Sequence, residues 1–156
     1  MSTAPASTAS FAQLDPAHRR AALSARLRSV VARGRVLADE EETRPYECDA
    51  LVLHRQLPAA VAIAADEAEV VAVLKLCREL GVPVVPRGAG TGLSGGATPH
   101  ADGVLLSLAK LDRLVALDPV ARTATVQPGV RNLAISEAAA PHGLYYAPDP
   151  SSQVAC

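Results

Sequence analysis

Val84-Val85-Pro86-Arg87-Gly88-Ala89-Gly90-Thr91-Gly92-Leu93-Ser94-Gly95-Gly96 runs from a short β-branched stretch into a proline, then through five glycines between positions 88 and 96. Glycine lets a ligand approach the main chain without meeting a Cβ. Successive N–H groups in such a turn converge on an anion and form a nest for phosphate. Arg87 adds a fixed positive charge, and Thr91 and Ser94 add hydroxyl donors. A flexible surface loop would explain the glycines, but not their abrupt start after a buried-looking strand. Gly90-x-Gly92-x-x-Gly95 matches the dinucleotide fingerprint, which requires a helix to open at the loop. Here Ala97-Thr98-Pro99-His100-Ala101-Asp102-Gly103 is turn chemistry, and the apolar run Val104-Leu105-Leu106-Ser107-Leu108 follows at once. No crossover helix fits. The stretch predicts a strand, a glycine loop and a second strand, with phosphate held by main-chain amides.

Upstream, Ala60-Val61-Ala62-Ile63-Ala64 reads as a short buried strand. Asp66 and Glu69 have the spacing of a capping box. Val70, Val73, Leu74, Cys77 and Leu80 recur at helical spacing, with Gly81 past the end. Cys77 is thus expected in the core. The next strand spans 82–85 and completes a βαβ unit, whose C-terminal edge carries the glycine loop, where ligands of open α/β sheets collect.

Downstream, 111–117 and 123–127 bracket Asp118-Pro119-Val120-Ala121-Arg122. The alternation in 123–127 predicts a half-exposed antiparallel pair. Pro128-Gly129 turns the chain into a helix from about Asn132 to Ala140, bounded by Pro141 and Gly143. The C-terminal stretch Leu144-Tyr145-Tyr146-Ala147-Pro148-Asp149-Pro150-Ser151-Ser152 is a rigid, polar turn.

Residues 1–14, rich in Ser, Thr and Ala, are expected to be disordered. Asp15-Pro16 has the form of an N-cap followed by a first-turn proline, opening a helix within 15–34. Leu23, Leu27, Val30 and Val31 form its apolar face, Gly34 is its stop, and it is expected to pack as an appendage. The segment 36–50 is acidic and irregular, and its charges suggest no chemistry of their own.

A length of 156 residues suits one domain with a modest core. A net charge of −1 removes any broad electrostatic case for nucleic acid or an anionic membrane. Cys48, Cys77 and Cys156 are odd in number and lack CxxC spacing, which points away from a disulfide frame or a metal site and towards a reducing compartment. No apolar run reaches the length of a membrane span. With no basic start or apolar core of a signal peptide, the expected location is cytoplasmic.

Three of these stretches, in this order and spacing, carry a resemblance: 86–96, Val126-Gln127-Pro128-Gly129-Val130, and Tyr146-Ala147-Pro148-Asp149-Pro150-Ser151-Ser152. Together they resemble the PCMH-type FAD-binding domain of the vanillyl-alcohol oxidase superfamily, in particular its glycolate oxidase and FAD-dependent D-lactate dehydrogenase branch. Arg44-Pro45-Tyr46-Glu47-Cys48-Asp49 is similar to that branch's N-terminal segment. The resemblance implies an α+β fold in which the βαβ unit and its loop precede mixed and antiparallel strands. Residues 35–156 would form part of that domain, with its C-terminal part and cap domain missing. It gives the FAD pyrophosphate to Pro86, Arg87, Gly88, Ala89, Gly90, Thr91, Gly92, Leu93, Gly95 and Gly96. Pro128, Gly129, Pro148, Asp149, Ser151 and Ser152 would line the adenosine and flavin portions. Some relatives attach flavin through a histidine directly after the paired glycines. Ala97 stands there, which implies a non-covalent flavin.

The implied activity is oxidation of a small 2-hydroxy acid, glycolate or D-lactate, to the 2-oxo acid, with hydride passing to flavin N5 and electron-transfer subunits as possible partners. The groups that hold the substrate belong largely to the missing part, so no catalytic residue and no metal ligand is assigned. A non-redox phosphate- or nucleotide-binding module is the alternative reading, and an inactive truncated product is the other.

Overall fold

The computed structural model describes residues 11–148 and 150–155. The disorder expected for 1–14 therefore falls mostly outside the described residues, as do Asp149 and Cys156. Phe11, at the near edge of that stretch, is partly buried against the core.

The elements in chain order are α1 (Pro16–Leu27), β1 (Val36–Leu37), α2 (Glu40–Thr43), β2 (Ala60–Ile63), α3 (Glu67–Leu80), β3 (Val84–Arg87), β4 (Val104–Ser107), β5 (Leu114–Asp118), β6 (Thr123–Val126) and α4 (Asn132–Ala139). The first four strands form one sheet in the order β1-β2-β4-β3, and β5 and β6 form a separate antiparallel pair. Within the larger sheet β2, β4 and β3 are parallel, and β1 runs antiparallel to β2.

Helix α1 opens where the sequence predicts. The Asp15 carboxylate accepts from the Ala17 and His18 amides, and Pro16 occupies the first helical position, where its missing N–H is not needed. The helix closes at Leu27, earlier than Gly34, yet the Val31 amide still bonds the Leu27 carbonyl at 2.9 Å. Leu23, Leu27 and Val31 therefore keep one face, and all three belong to the core alongside Ala60, Ala62, Val73 and Leu106. The helix is a wall of that core, where an appendage was expected.

Helix α3 starts with half of the expected capping box. Asp66 accepts from the Glu69 amide at 2.9 Å. The Glu69 carboxylate does not reach back to Asp66; it accepts from the Ala65 amide at 2.8 Å and pairs with Arg35. Val73, Leu76 and Cys77 are the buried positions, whereas Leu74 lies on the open side. Burial pushes the Cys77 thiol up to about 11, as suits a packed side chain. Gly81 ends the helix in the left-handed region at φ 67°, and the Val82 amide closes onto the Cys77 carbonyl at 2.8 Å. Val82 is thereby drawn into the helix cap, and β3 begins two residues later than the apolar run.

Pro86 lies inside β3, where a missing N–H would break a central ladder. It is tolerated because β3 is the sheet edge. The short β1, which lies in the segment read as irregular, covers the opposite edge. The βαβ expectation holds for β2-α3-β3 in direction and hand-off. However, β2 and β3 do not pair with each other, because β4 enters between them.

Arg35 ties β1, β2 and α3 together. Its Nη2 donates to Glu69 Oε1 at 2.6 Å, its Nη1 pairs with Glu69 Oε2, and Nη1 also donates to the Ile63 carbonyl at 2.9 Å. Both side chains are largely buried, and the Arg35 hydrogen bonds hold the Glu69 carboxyl below its ordinary range. A folded-state carboxylate pKa below its unfolded value stabilises the fold at pH above the unfolded value, about 4.3, and that contribution fades as pH falls through the folded value. Glu69→Gln should therefore cost about 2 kcal/mol at neutral pH and much less near pH 3. Urea unfolding at the two pH values checks this; an equal cost at both would exclude the ion pair as its source.

Candidate functional site

β3 and β4 are adjacent and parallel, with Arg87 opposite Ser107 at their C-terminal ends. The glycine stretch connects them over the C-terminal edge without forming a helix, as the sequence predicts. It is a parallel crossover made of loop.

The loop's glycines divide into two kinds. Gly90 and Gly95 adopt φ 76° and 74°, so the backbone itself demands glycine there. Gly88, Gly92 and Gly96 have no such φ, and a Cβ built on any of them meets no protein atom within 4 Å. Neither conformation nor packing within the chain calls for glycine at these three positions. Open space in front of a bare main chain is what an approaching ligand needs.

A cleft of about 530 Å³ lies against this loop. Gly88 and Ala89 form one wall, and Pro128, Gly129, Arg131 and Asn132 form another. Two of the three predicted motifs thus meet on one cavity, whose size lies within the roughly 300–1,000 Å³ of small-molecule sites. Gly129 is held close to the β4 exit. Its amide donates to the Leu111 carbonyl at 2.8 Å, and a Cβ there would stand 2.7 Å from the Leu108 oxygen. The third motif does not line the cleft, and only the residues just after it approach. The Gln153 carbonyl accepts from the Leu133 amide at 3.1 Å, in the first turn of α4, and Ala155 lines the cleft. Pro148 and Ser151 are exposed and Ser152 is half-buried, whereas Asp149 lies outside the described residues.

Arg87 does not extend into this cleft's lining. Its Nη1 donates to the Cys48 carbonyl at 2.6 Å, its guanidinium stands 5.8 Å from the Tyr46 ring centroid, and it packs beneath Gly90. The charges that do line the cleft are those of Arg131 and Asp112, neither of them singled out in the sequence. Arg131 immediately precedes α4, whose first turn has no side-chain cap. Pro86 sits in β3, Thr91 is half-buried, and Leu93 is exposed at the loop's tip.

Residues 58–156 match the family described as FAD binding domain. The chain belongs to that family. FAD is its cofactor, and the open main chain at Gly88, which lines the cleft, fits a dinucleotide laid against main-chain amides. Among curated proteins, the glycolate oxidase subunit GlcD of Escherichia coli K12 is 57% identical over 121 residues, covering 78% of this chain and 24% of that protein. GlcD of Bacillus subtilis is 40% identical, covering 69% of this chain and 23% of its own length. A D-lactate dehydrogenase of Anaerostipes hadrus is 35% identical, covering 80% and 26%. This FAD-binding chain thus spans about a quarter of the length of the curated relatives it matches. Its fold recurs in p-cresol methylhydroxylase, with a TM-score of 0.71 at 23% identity over 80% of this chain and 25% of that one. It also recurs in alkyldihydroxyacetonephosphate synthase, with a TM-score of 0.73 at 16% identity over 85% and 27%. Among the described residues no helix is long and apolar enough to cross a membrane, and no cluster of His, Cys, Asp and Glu could hold a metal ion.

Proposed function

We propose that this chain supplies the FAD pyrophosphate site of a flavin-dependent oxidoreductase that converts a small 2-hydroxy acid, glycolate or D-lactate, to its 2-oxo acid. The observation that carries the reading is the convergence of the glycine loop and the Pro128-Gly129 turn on one cleft, in a chain whose relatives include glycolate oxidase subunits. The pyrophosphate would lie along the amides of 88–96, with Pro128, Gly129 and 148–152 towards the adenosine and flavin portions. Bound flavin supplies the hydride acceptor at N5. The chain's own residues bind and orient: the loop amides donate to the phosphates, and the cleft walls exclude water. Ala97 offers no side-chain nucleophile, so the flavin is held without a covalent bond. No residue of this chain is assigned a catalytic role. Free Cys48 and Cys77 suit a reducing, cytoplasmic setting. Electron-transfer subunits would receive the electrons.

The deciding experiment mixes the full-length protein anaerobically with glycolate or D-lactate and follows the flavin absorbance. Bleaching supports the assignment. Flavin that is retained but stays oxidised with both acids would favour a non-redox binding module.

Arg131 tests the site itself. Among the described residues its guanidinium has no ion pair, and it faces the same cleft as Gly88. Arg131→Ala should weaken FAD binding by about 1–3 kcal/mol and flatten its salt dependence. Fluorescence titration at two ionic strengths measures both. Unchanged affinity would place the phosphates elsewhere.

A further inference from the structure

The segment 46–51 precedes the residues that match the FAD-binding family, yet it grips the glycine loop at two points. At the near end, the Cys48 carbonyl accepts from Arg87 Nη1 at 2.6 Å, and the Ala50 amide donates to the Gly90 carbonyl at 3.0 Å. At the far end stands Asp49, only 4% exposed. Its Oδ1 accepts from the Leu51 amide at 2.9 Å and its Oδ2 from the Ala97 amide at 3.4 Å. Leu51 packs beneath Gly95 at the same end. Between the two grips, Gly92, Leu93, Ser94 and Gly96 are exposed.

Asp49 has no ion-pair partner among the described residues. A buried carboxylate without a cation is costly unless amides satisfy it. One placed beside a phosphate loop also repels the ligand. Its contribution there must come from geometry: the two carboxylate oxygens join a turn in 49–51 to the exit of the loop.

We propose that Asp49 is a positioning residue for the cofactor. With the Ala50 amide, which donates to the Gly90 carbonyl, it fixes the distance between Gly90 and Ala97, so that the intervening amides face the ligand before it arrives. This rests on the FAD reading above. If only a fraction of molecules hold the loop ready, apparent affinity falls by that fraction. The loss then appears in association, because the bound loop is held by the ligand itself.

Asp49→Ala in the full-length protein, stripped of flavin, is the test. FAD association should slow on the order of tenfold while dissociation stays within about twofold. Hydrogen exchange of peptides covering 88–97 should quicken in the cofactor-free variant, with 67–80 still protected. Faster exchange requires no cofactor, so it judges the clasp even if the protein proves not to bind FAD. Wild-type association kinetics, or loop exchange that matches wild type, would overturn the proposal, as would an effect confined to dissociation. Should Asp49→Ala fail to fold, the isosteric Asp49→Asn, which keeps the Oδ1 acceptor and loses the one facing Ala97, carries the same two measurements.

Discussion

Gly129→Val is expected to destabilise the protein by about 3 kcal/mol or more, lowering the melting temperature by roughly 10 °C. A Cβ at this position would stand 2.7 Å from the Leu108 carbonyl oxygen, 2.9 Å from that of Leu111 and 3.1 Å from that of Ala109. All three are main-chain atoms, so no side chain can swing aside to relieve the overlap. The Gly129 amide also closes onto Leu111 at 2.8 Å, which fixes how the β5–β6 pair and α4 leave the sheet. Total stabilities of 5–15 kcal/mol leave little margin for such a loss. Thermal and urea unfolding measure it. A Gly129→Ala variant within about 1 kcal/mol of wild type would show that the turn can retreat from these carbonyls.

The other large effect separates cofactor retention from stability. Gly88→Val should keep the melting temperature of the cofactor-free parent, because no protein atom lies within 4 Å of its Cβ and the backbone φ is ordinary. It should nevertheless purify without flavin, since the isopropyl group would project beside the cleft that Gly88 lines. Gly90→Val should lose both. At φ 76° a β-branched residue is strained, and its Cβ would overlap the Arg87 guanidinium. Flavin absorbance and a thermal melt on the two variants settle the matter. Yellow Gly88→Val protein would remove the phosphate from this part of the loop.

The strand–loop–strand unit was legible because its evidence is local: glycines, turn residues and a prompt return of apolar side chains. The opening of α1, the extent of α3 and the β5–β6 pair were legible for the same reason. What stayed hidden depends on partners far along the chain. The two residues of β1 exist as a strand only because Val36 and Leu37 meet β2. The order β1-β2-β4-β3 is a pairing choice that no single segment encodes. Arg87 next to a phosphate loop suggests an anion partner, and only the fold reveals the Cys48 carbonyl that occupies it. Asp49 stood in an acidic segment with no apparent chemistry, and its bond to Ala97 spans 48 positions. Arg131 and Asp112 join the cleft because α4 and the β4 exit happen to converge, a proximity with no signature in either stretch.

The place of β4 has a consequence for how the protein is made. This strand lies between β2 and β3 but leaves the ribosome after both. A nascent chain that has emerged only as far as Arg87 can fold α3 against β2 and β3, yet those strands remain about 10 Å apart, one strand spacing too far to bond each other. The sheet closes when residues 104–107 slot into that gap, and the same event draws the glycine crossover tight. Synthesis therefore completes the central strand and the glycine crossover together. A ligand of the loop therefore meets no half-built crossover, and it can act only as a late clamp on a closed sheet, not as the template around which the sheet assembles.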